Sequence, residues 1–279
     1  MNVTAPQAKV LIVDGMGINC GRETKHAFEK AGAQKDNVNR VHINDLAKKP
    51  EQLRNYNILM FPGGFSYGDH TGSGNALGKL ITGNDALKAE IDTFVANNKN
   101  LVLGICNGFQ VAVQLFKEKA NDMLSKIGLA QNEKPGYIDR AVGLKVPDKA
   151  RARSPWLKDL HELPCPVAHG EGRFVADEKT LDQLEQNGQV AVSYDTNATI
   201  QATGEEINPN GSMRNIAGVT NEQGNVLLMM PHPERNIDAT HDHLYHLKKE
   251  EAARAGKSLA KDGPGLQLFK NAVEYVTAA

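Results

Sequence analysis

Leu101-Val-Leu-Gly-Ile-Cys-Asn-Gly-Phe-Gln110 is the stretch from which the rest of the chain can be read. Leu101 to Ile105 is a short apolar run, the pattern of a buried central strand. Phe109 to Phe116 reads as a helix. Between them lies Cys106, with Gly104 and Gly108 two residues away on either side. A strand, a tight turn carrying a nucleophile and then a helix make a nucleophile elbow. Small flanking residues let the backbone turn sharply and push the central side chain out above the sheet edge. The next helix presents free N–H groups and the positive end of its dipole to an anionic sulfur. Taken alone, Gly-x-Cys-x-Gly is also compatible with a buried cysteine acting as a small hydrophobe, so the reading depends on what surrounds it.

Working outward, strands and helices alternate. Lys9 to Val13 predicts a strand, Arg22 to Ala31 a helix ending at Gly32, Arg40 to Ile43 a second strand and Ile58 to Phe61 a third. Pro62-Gly63-Gly64 then opens a glycine-rich loop reaching Gly74. Leu87, Ile91, Phe94 and Val95 recur at helical spacing. This alternation predicts an α/β fold: a doubly wound, mostly parallel sheet with helices on both faces. In such sheets ligands sit at the carboxyl ends of strands, which puts the Gly63 loop and Cys106 on one edge. Residues 117–150 are charged and irregular and read as surface structure. Val190 to Tyr194, Ile216 to Thr220 and Val226 to Met230 read as strands, the last two joined by a turn at Gln223-Gly224-Asn225. They imply antiparallel additions in the second half. Helices follow at Leu244 to Ala255 and Leu266 to Val276. No repeat or strong linker divides the chain, so residues 1–279 are expected to form a single domain.

Bulk properties narrow the function. The chain has 279 residues and a formal net charge of −1, which gives no electrostatic case for nucleic acid or an anionic membrane as partner. Three cysteines, an odd number and widely spaced, form no disulfide framework and suit a reducing compartment. Neither a signal peptide nor a membrane-spanning apolar run is evident. The expected location is the cytoplasm.

A thiol nucleophile needs a base, and that base needs orienting. Nine histidines are available, and His232 is the best placed. It follows the apolar run Val226-Leu-Leu-Met-Met230, between Pro231 and Pro233, with Glu234 two residues on to set its tautomer. A surface His-Pro turn with an unrelated glutamate would look the same locally. Backbone N–H groups of Gly63 or Gly64, together with Asn107, are the candidate oxyanion donors. Gly72-Ser-Gly-Asn-Ala-Leu-Gly-Lys79 resembles a phosphate loop, but its spacing fails and Leu80 follows the lysine. Cys20 precedes a helix but lacks a strand-end turn, and Cys165 sits between two prolines. His241, His243 and His246 offer no consistent ligand geometry, so no metal is expected.

Gly104-Ile-Cys-Asn-Gly-Phe-Gln110 and Pro231-His-Pro-Glu-Arg235 resemble the nucleophile and His–Glu motifs of class I, triad-type glutamine amidotransferases. Pro62-Gly-Gly-Phe-Ser-Tyr-Gly-Asp69, Ala168-His-Gly-Glu-Gly-Arg-Phe174, Asn208-Pro-Asn-Gly-Ser212 and Asn215-Ile-Ala-Gly218 are similar to motifs of the glutaminase subunits of phosphoribosylformylglycinamidine synthases, enzymes of purine biosynthesis. The resemblance implies hydrolysis of L-glutamine by Cys106, His232 and Glu234, with Gln110 helping to hold the substrate. Cys20 would belong to a structural N-terminal motif. It also implies delivery of ammonia to a separate synthetase subunit, with or without a small accessory subunit. ATP and Mg²⁺ would be bound there and no cofactor in this chain. Ala168 to Phe174, through Gly170, Glu171, Gly172 and Arg173, is a candidate for contact with that partner, with a tight structural turn as the other reading of the block. Against that family, residues 117–164 match poorly, and 236–264 is expected to be an added helical and loop segment. Three other readings remain: a stand-alone cysteine amidohydrolase of related fold, whose chaperone and peptidase-like members carry His where this chain has Asn107; the glutaminase subunit of a different amidotransferase; and a non-catalytic partner subunit.

Overall fold

The computed structural model describes residues 7–70, 72–120, 122–195, 207–242 and 244–278. In chain order the first half runs β1 (Val10–Asp14), α1 (Gly21–Lys30), β2 (Val38–His42), α2 (Ile43–Lys48), β3 (Ile58–Phe61), α3 (Asn75–Thr82), α4 (Asp85–Ala96), β4 (Leu101–Ile105) and α5 (Asn107–Phe116). The second runs β5 (Gly128–Gln131), β6 (Ile138–Val142), β7 (Leu144–Lys145), α6 (Asp148–Arg153), β8 (Cys165–His169), β9 (Glu171–Val175), α7 (Glu178–Gln186), β10 (Val190–Tyr194), β11 (Ile216–Thr220), β12 (Val226–Met229), α8 (Tyr245–Arg254) and α9 (Leu266–Ala278).

The main sheet has the order β2-β1-β3-β4-β12-β11-β10-β7. From β2 to β12 neighbours are parallel, and from β12 to β7 they are antiparallel. The late strands therefore extend the sheet and do not form a separate layer. β3, β4 and β12 are apolar and buried along their whole length, as strands covered on both faces must be. Crossovers in such sheets are right-handed. The β1–α1–β2 crossover steps toward one edge, whereas β3 to β4, through α3 and α4, steps toward the other, so α1 lies on the opposite face from α3 and α4. On its face α1 packs against α9, with Phe28 and Phe269 edge to face at 5.0 Å. On the other, α3 packs against α4 and α5.

Most first-half elements lie where periodicity put them. Helix α4 buries Leu87, Ile91, Phe94 and Val95, and the Asn84 side chain accepts from the Leu87 N–H at its start. Ile43 is a departure, opening α2 instead of closing β2. A further one is α3, which begins directly after the glycine-rich loop. Residues 117–150 are more ordered than their charge suggests. They supply β5 and β6, which pair antiparallel with β9 and β8 in two small sheets. Within 236–264, α8 buries no residue, while Lys30 holds the segment's ends through ion pairs with Asp238 and Asp262. No helix among the described residues is long and apolar enough to cross a membrane.

Register brings the chemistry together. Phe61 lies opposite Gly104, and Met229 opposite Ile105. The residues just beyond these strand ends are Gly63, Cys106 and His232.

Candidate active site

Cys106 occupies the turn between β4 and α5 with φ 52° and ψ −109°. A non-glycine residue held there costs about 1–3 kcal/mol, and such strain gathers at functional sites. The surroundings enforce it. The Cys106 N–H donates to the Met229 carbonyl at 2.8 Å, tying the elbow to β12. A Cβ on Gly108 would lie 1.8 Å from the Phe61 carbonyl oxygen, and one on Gly104 would lie 2.9 Å from the Gly108 oxygen. The glycine spacing thus reflects backbone packed on backbone. The thiol is nearly buried, with its sulfur 3.6 Å from the Ala168 carbonyl oxygen.

His232 is fixed by its backbone, whose N–H donates to the Pro166 carbonyl at 2.8 Å. Its Nδ1 is 2.6 Å from Glu234 Oε1, and both side chains are about 1% exposed. Burial disfavours charge on the ring. The Glu234 carboxylate and the Cys106 sulfur outweigh it and hold the His232 pKa well above the ordinary histidine value. With Nδ1 committed to Glu234, Nε2 is buried without a partner among the described residues. Gly63 marks how closely the three strand ends meet. A Cβ there would lie 2.7 Å from His232 Cε1, 3.0 Å from Cys20 Sγ and 3.5 Å from Cys106 Cβ.

The glycine loop is tied to residues 16–20. The Cys20 N–H donates to the Gly63 oxygen, the Phe65 N–H to the Gly17 oxygen and the Tyr67 N–H to the Met16 oxygen. The Gly64 N–H has no partner among the described residues, and the Asn107 N–H, first in its helix, has none within the helix. The side chains behind them form a relay. Asn107 Oδ1 accepts from the Ser66 N–H at 3.1 Å, and its Nδ2 donates to Gln110 Oε1 at 3.1 Å. Gln110 Nε2 donates to the Glu171 carbonyl at 2.9 Å, and Glu171 Oε2 accepts from the Ser73 N–H at 2.9 Å. Gln110 therefore spends its amide on holding this wall.

All the sequence-selected residues, Cys106, His232, Glu234, Gly63, Gly64, Asn107 and Gln110, line this one region. Three others were not selected for it. Cys20 is buried beside His232, its Sγ 3.0 Å from Arg235 Nη2, and burial raises its pKa. Arg235 also donates to Glu23 at 2.7 Å. Cys20, Glu23, His232 and Glu234 place potential ligand atoms within 4.8 Å of one another, but the Arg235 guanidinium already supplies the cation there. His169 is buried with Nδ1 3.1 Å from Asn132 Oδ1, and burial, followed by nearby His232, pushes its pKa down to about 4. Tyr137 is exposed near the site, its ring 6.1 Å from that of Phe65, and its pKa is raised by partial burial and by Cys106. Glu171 and Arg173 are both engaged within the chain, Arg173 donating to the Gln131 carbonyl at 3.1 Å. The phosphate-loop mimic is closed, because Gly74 abuts Gln110 and Val111. Cys165 is buried, its thiol on the Leu163 carbonyl. His241 approaches Asp238, His246 meets Tyr245 edge to face, and His243 lies outside the described residues.

Residues 7–276 match the sequence model of the CobB/CobQ-like glutamine amidotransferase domain. The phosphoribosylformylglycinamidine synthase subunit PurQ of Methanococcus maripaludis is 44% identical over 272 residues, covering 96% of this chain and 97% of that protein. The subunit of the same name from Treponema denticola is 39% identical over 246 residues, covering 82% and 88%. Among solved structures, a chain in the structure of PurLQS from Thermotoga maritima is 27% identical with a TM-score of 0.67, covering 96% of this chain and 99% of that one. The glutaminase domain of Trypanosoma brucei CTPS, at 15% identity and a TM-score of 0.51 over 91% of this chain and 96% of that one, shares the fold.

Proposed function

Because this chain belongs to the family of CobB/CobQ-like glutamine amidotransferase domains, we propose that it is the glutaminase subunit of a phosphoribosylformylglycinamidine synthase. It hydrolyses L-glutamine and supplies ammonia to a separate synthetase subunit in purine biosynthesis. The observation that carries the chemistry is the meeting of a strained, glycine-flanked thiol with a buried His–Glu pair at adjacent strand ends. In this reading the Cys106 sulfur attacks the carboxamide carbon, and the Gly64 and Asn107 N–H groups receive the oxyanion. Each such donor contributes about 3–4 kcal/mol. His232 Nε2 protonates the departing nitrogen as the C–N bond breaks, leaving a γ-glutamyl thioester. The same nitrogen then takes a proton from water, whose oxygen attacks the thioester. Glutamate leaves and the thiol is restored. Glu234 holds the ring and its charge throughout.

No step requires a metal or cofactor on this chain. ATP and Mg²⁺ belong to the synthetase, where they activate the ammonia acceptor. The whole chain acts as one glutaminase domain in the cytoplasm, alongside the synthetase and, in a three-part complex, a small accessory subunit. The test is covalent trapping. The complex is mixed with radiolabelled L-glutamine, quenched in acid and digested. Label on the peptide containing Cys106 is expected; label on Cys20 or Cys165 would refute the assignment.

A further inference from the structure

The relay from Ser66 to Ser73 ends in a carboxylate to which the chemistry above gives no task. Glu171 follows the β8–β9 turn, and Ala168, three residues earlier, touches the Cys106 sulfur with its carbonyl. The Glu171 carbonyl is held by Gln110, one helical turn from Cys106 and so about 5–6 Å along the axis. Its Oε2 is fixed by the Ser73 N–H, while Oε1 has no partner among the described residues. Two other acidic groups near the thiol are committed, Glu234 to His232 and Glu23 to Arg235. Extended L-glutamine spans about 5 Å from its carboxamide carbon to its α-nitrogen. That length is enough for a substrate with its carboxamide at Cys106 to reach Glu171 with its α-ammonium. We infer that the Glu171 carboxylate binds the α-ammonium of glutamine and makes this glutaminase discriminate against carboxamides that lack it. The inference rests on the glutaminase reading and adds the residue that recognises the amino acid end.

The contact accounts for two otherwise idle features. Ser73 fixes one oxygen, so the carboxylate is already held in place when substrate arrives. Gln110 acts behind it as a positioning residue, through the Glu171 backbone. The experiment compares L-glutamine with glutaramate, the same molecule without its amino group, using wild type and Glu171→Gln in complex with the synthetase. The amide of the variant still accepts from the Ser73 N–H, and the Gln110 contact is to the backbone, so the wall is kept. Glu171→Gln is expected to lose about ten- to a hundredfold in kcat/KM for L-glutamine, the range for a charge-assisted hydrogen bond, and to turn over glutaramate as wild type does. The preference for glutamine thereby collapses. An equal loss on both substrates would make Glu171 purely structural, and no loss on either would place the ammonium elsewhere; each overturns the inference while leaving glutaminase activity established. A wild-type complex that hydrolyses neither compound would instead overturn the proposed function, and this inference with it.

Discussion

Replacing Gly63 with alanine probes the convergence of the three strand ends. The added Cβ would lie 2.7 Å from His232 Cε1 and 3.0 Å from Cys20 Sγ. Carbon atoms pack at about 3.5–4.0 Å, so the ring or the loop must yield by about 1 Å. The ring is held by Glu234 on Nδ1 and by the Pro166 carbonyl on its backbone, and the loop by the Gly17 and Met16 carbonyls. Either displacement separates His232 or the Gly64 N–H from the Cys106 sulfur. Misplacement of about 1 Å costs about 100-fold in rate, equivalent to about 2.7 kcal/mol in the barrier. Overpacking should also cost about 1–3 kcal/mol of stability. The assay is steady-state glutamate release by the reconstituted complex, with thermal unfolding to verify the fold and ammonia-dependent amidation as an internal control. Gly63→Ala should lower glutamine-dependent kcat about 100-fold while ammonia-dependent turnover persists. Adding Cys20→Ala removes only the sulfur contact and should not restore the rate. A folded Gly63→Ala subunit with wild-type kcat would refute the packing argument.

Glu234→Gln should lower kcat/KM at least about tenfold, since a charge-assisted hydrogen bond contributes about 1.5–3 kcal/mol. Its stability effect has a sign. His232 has a folded pKa above its unfolded value, so the pair's contribution is complete below about pH 6.5 and is lost as pH rises through the folded value. The difference in Tm between wild type and Glu234→Gln should shrink over that window. Dialysis against chelator should leave the glutamine hydrolysis rate of the isolated chain unchanged, with loss on chelation and recovery with zinc as the contrary result. The isolated chain should hydrolyse glutamine slowly and be accelerated by the purified synthetase with acceptor and nucleotide; full activity alone, unchanged by synthetase, would contradict coupling.

The candidate catalytic set was legible because its signals are local. Leu101 to Ile105 and Val226 to Met229 are apolar runs buried on both faces, so composition alone marks them as central strands. Glycine spacing and the His-Pro-Glu tripeptide then place chemistry at their ends. Other elements depend on partners far away in sequence. β6 carries the adjacent charged residues Asp139 and Arg140, which break any apolar alternation, and becomes a strand only by pairing with β8. Tyr137 comes near Cys106 because of that pairing, which nothing near it in sequence announces. Cys20 looked like a helix-start cysteine, and its place beside His232 follows from β1 and β12 converging on one edge. Glu171 and Arg173 read as candidates for contact with a partner, yet within the chain they engage Ser73 and Gln131.

The central claim is that Cys106 makes ammonia for another subunit. Its most direct test is Cys106→Ala in the complex with the synthetase, assayed for amidation with glutamine and with ammonium salt. The expected result is no glutamine-dependent product and full ammonia-dependent product. Glutamine-dependent amidation that survives Cys106→Ala would contradict the claim.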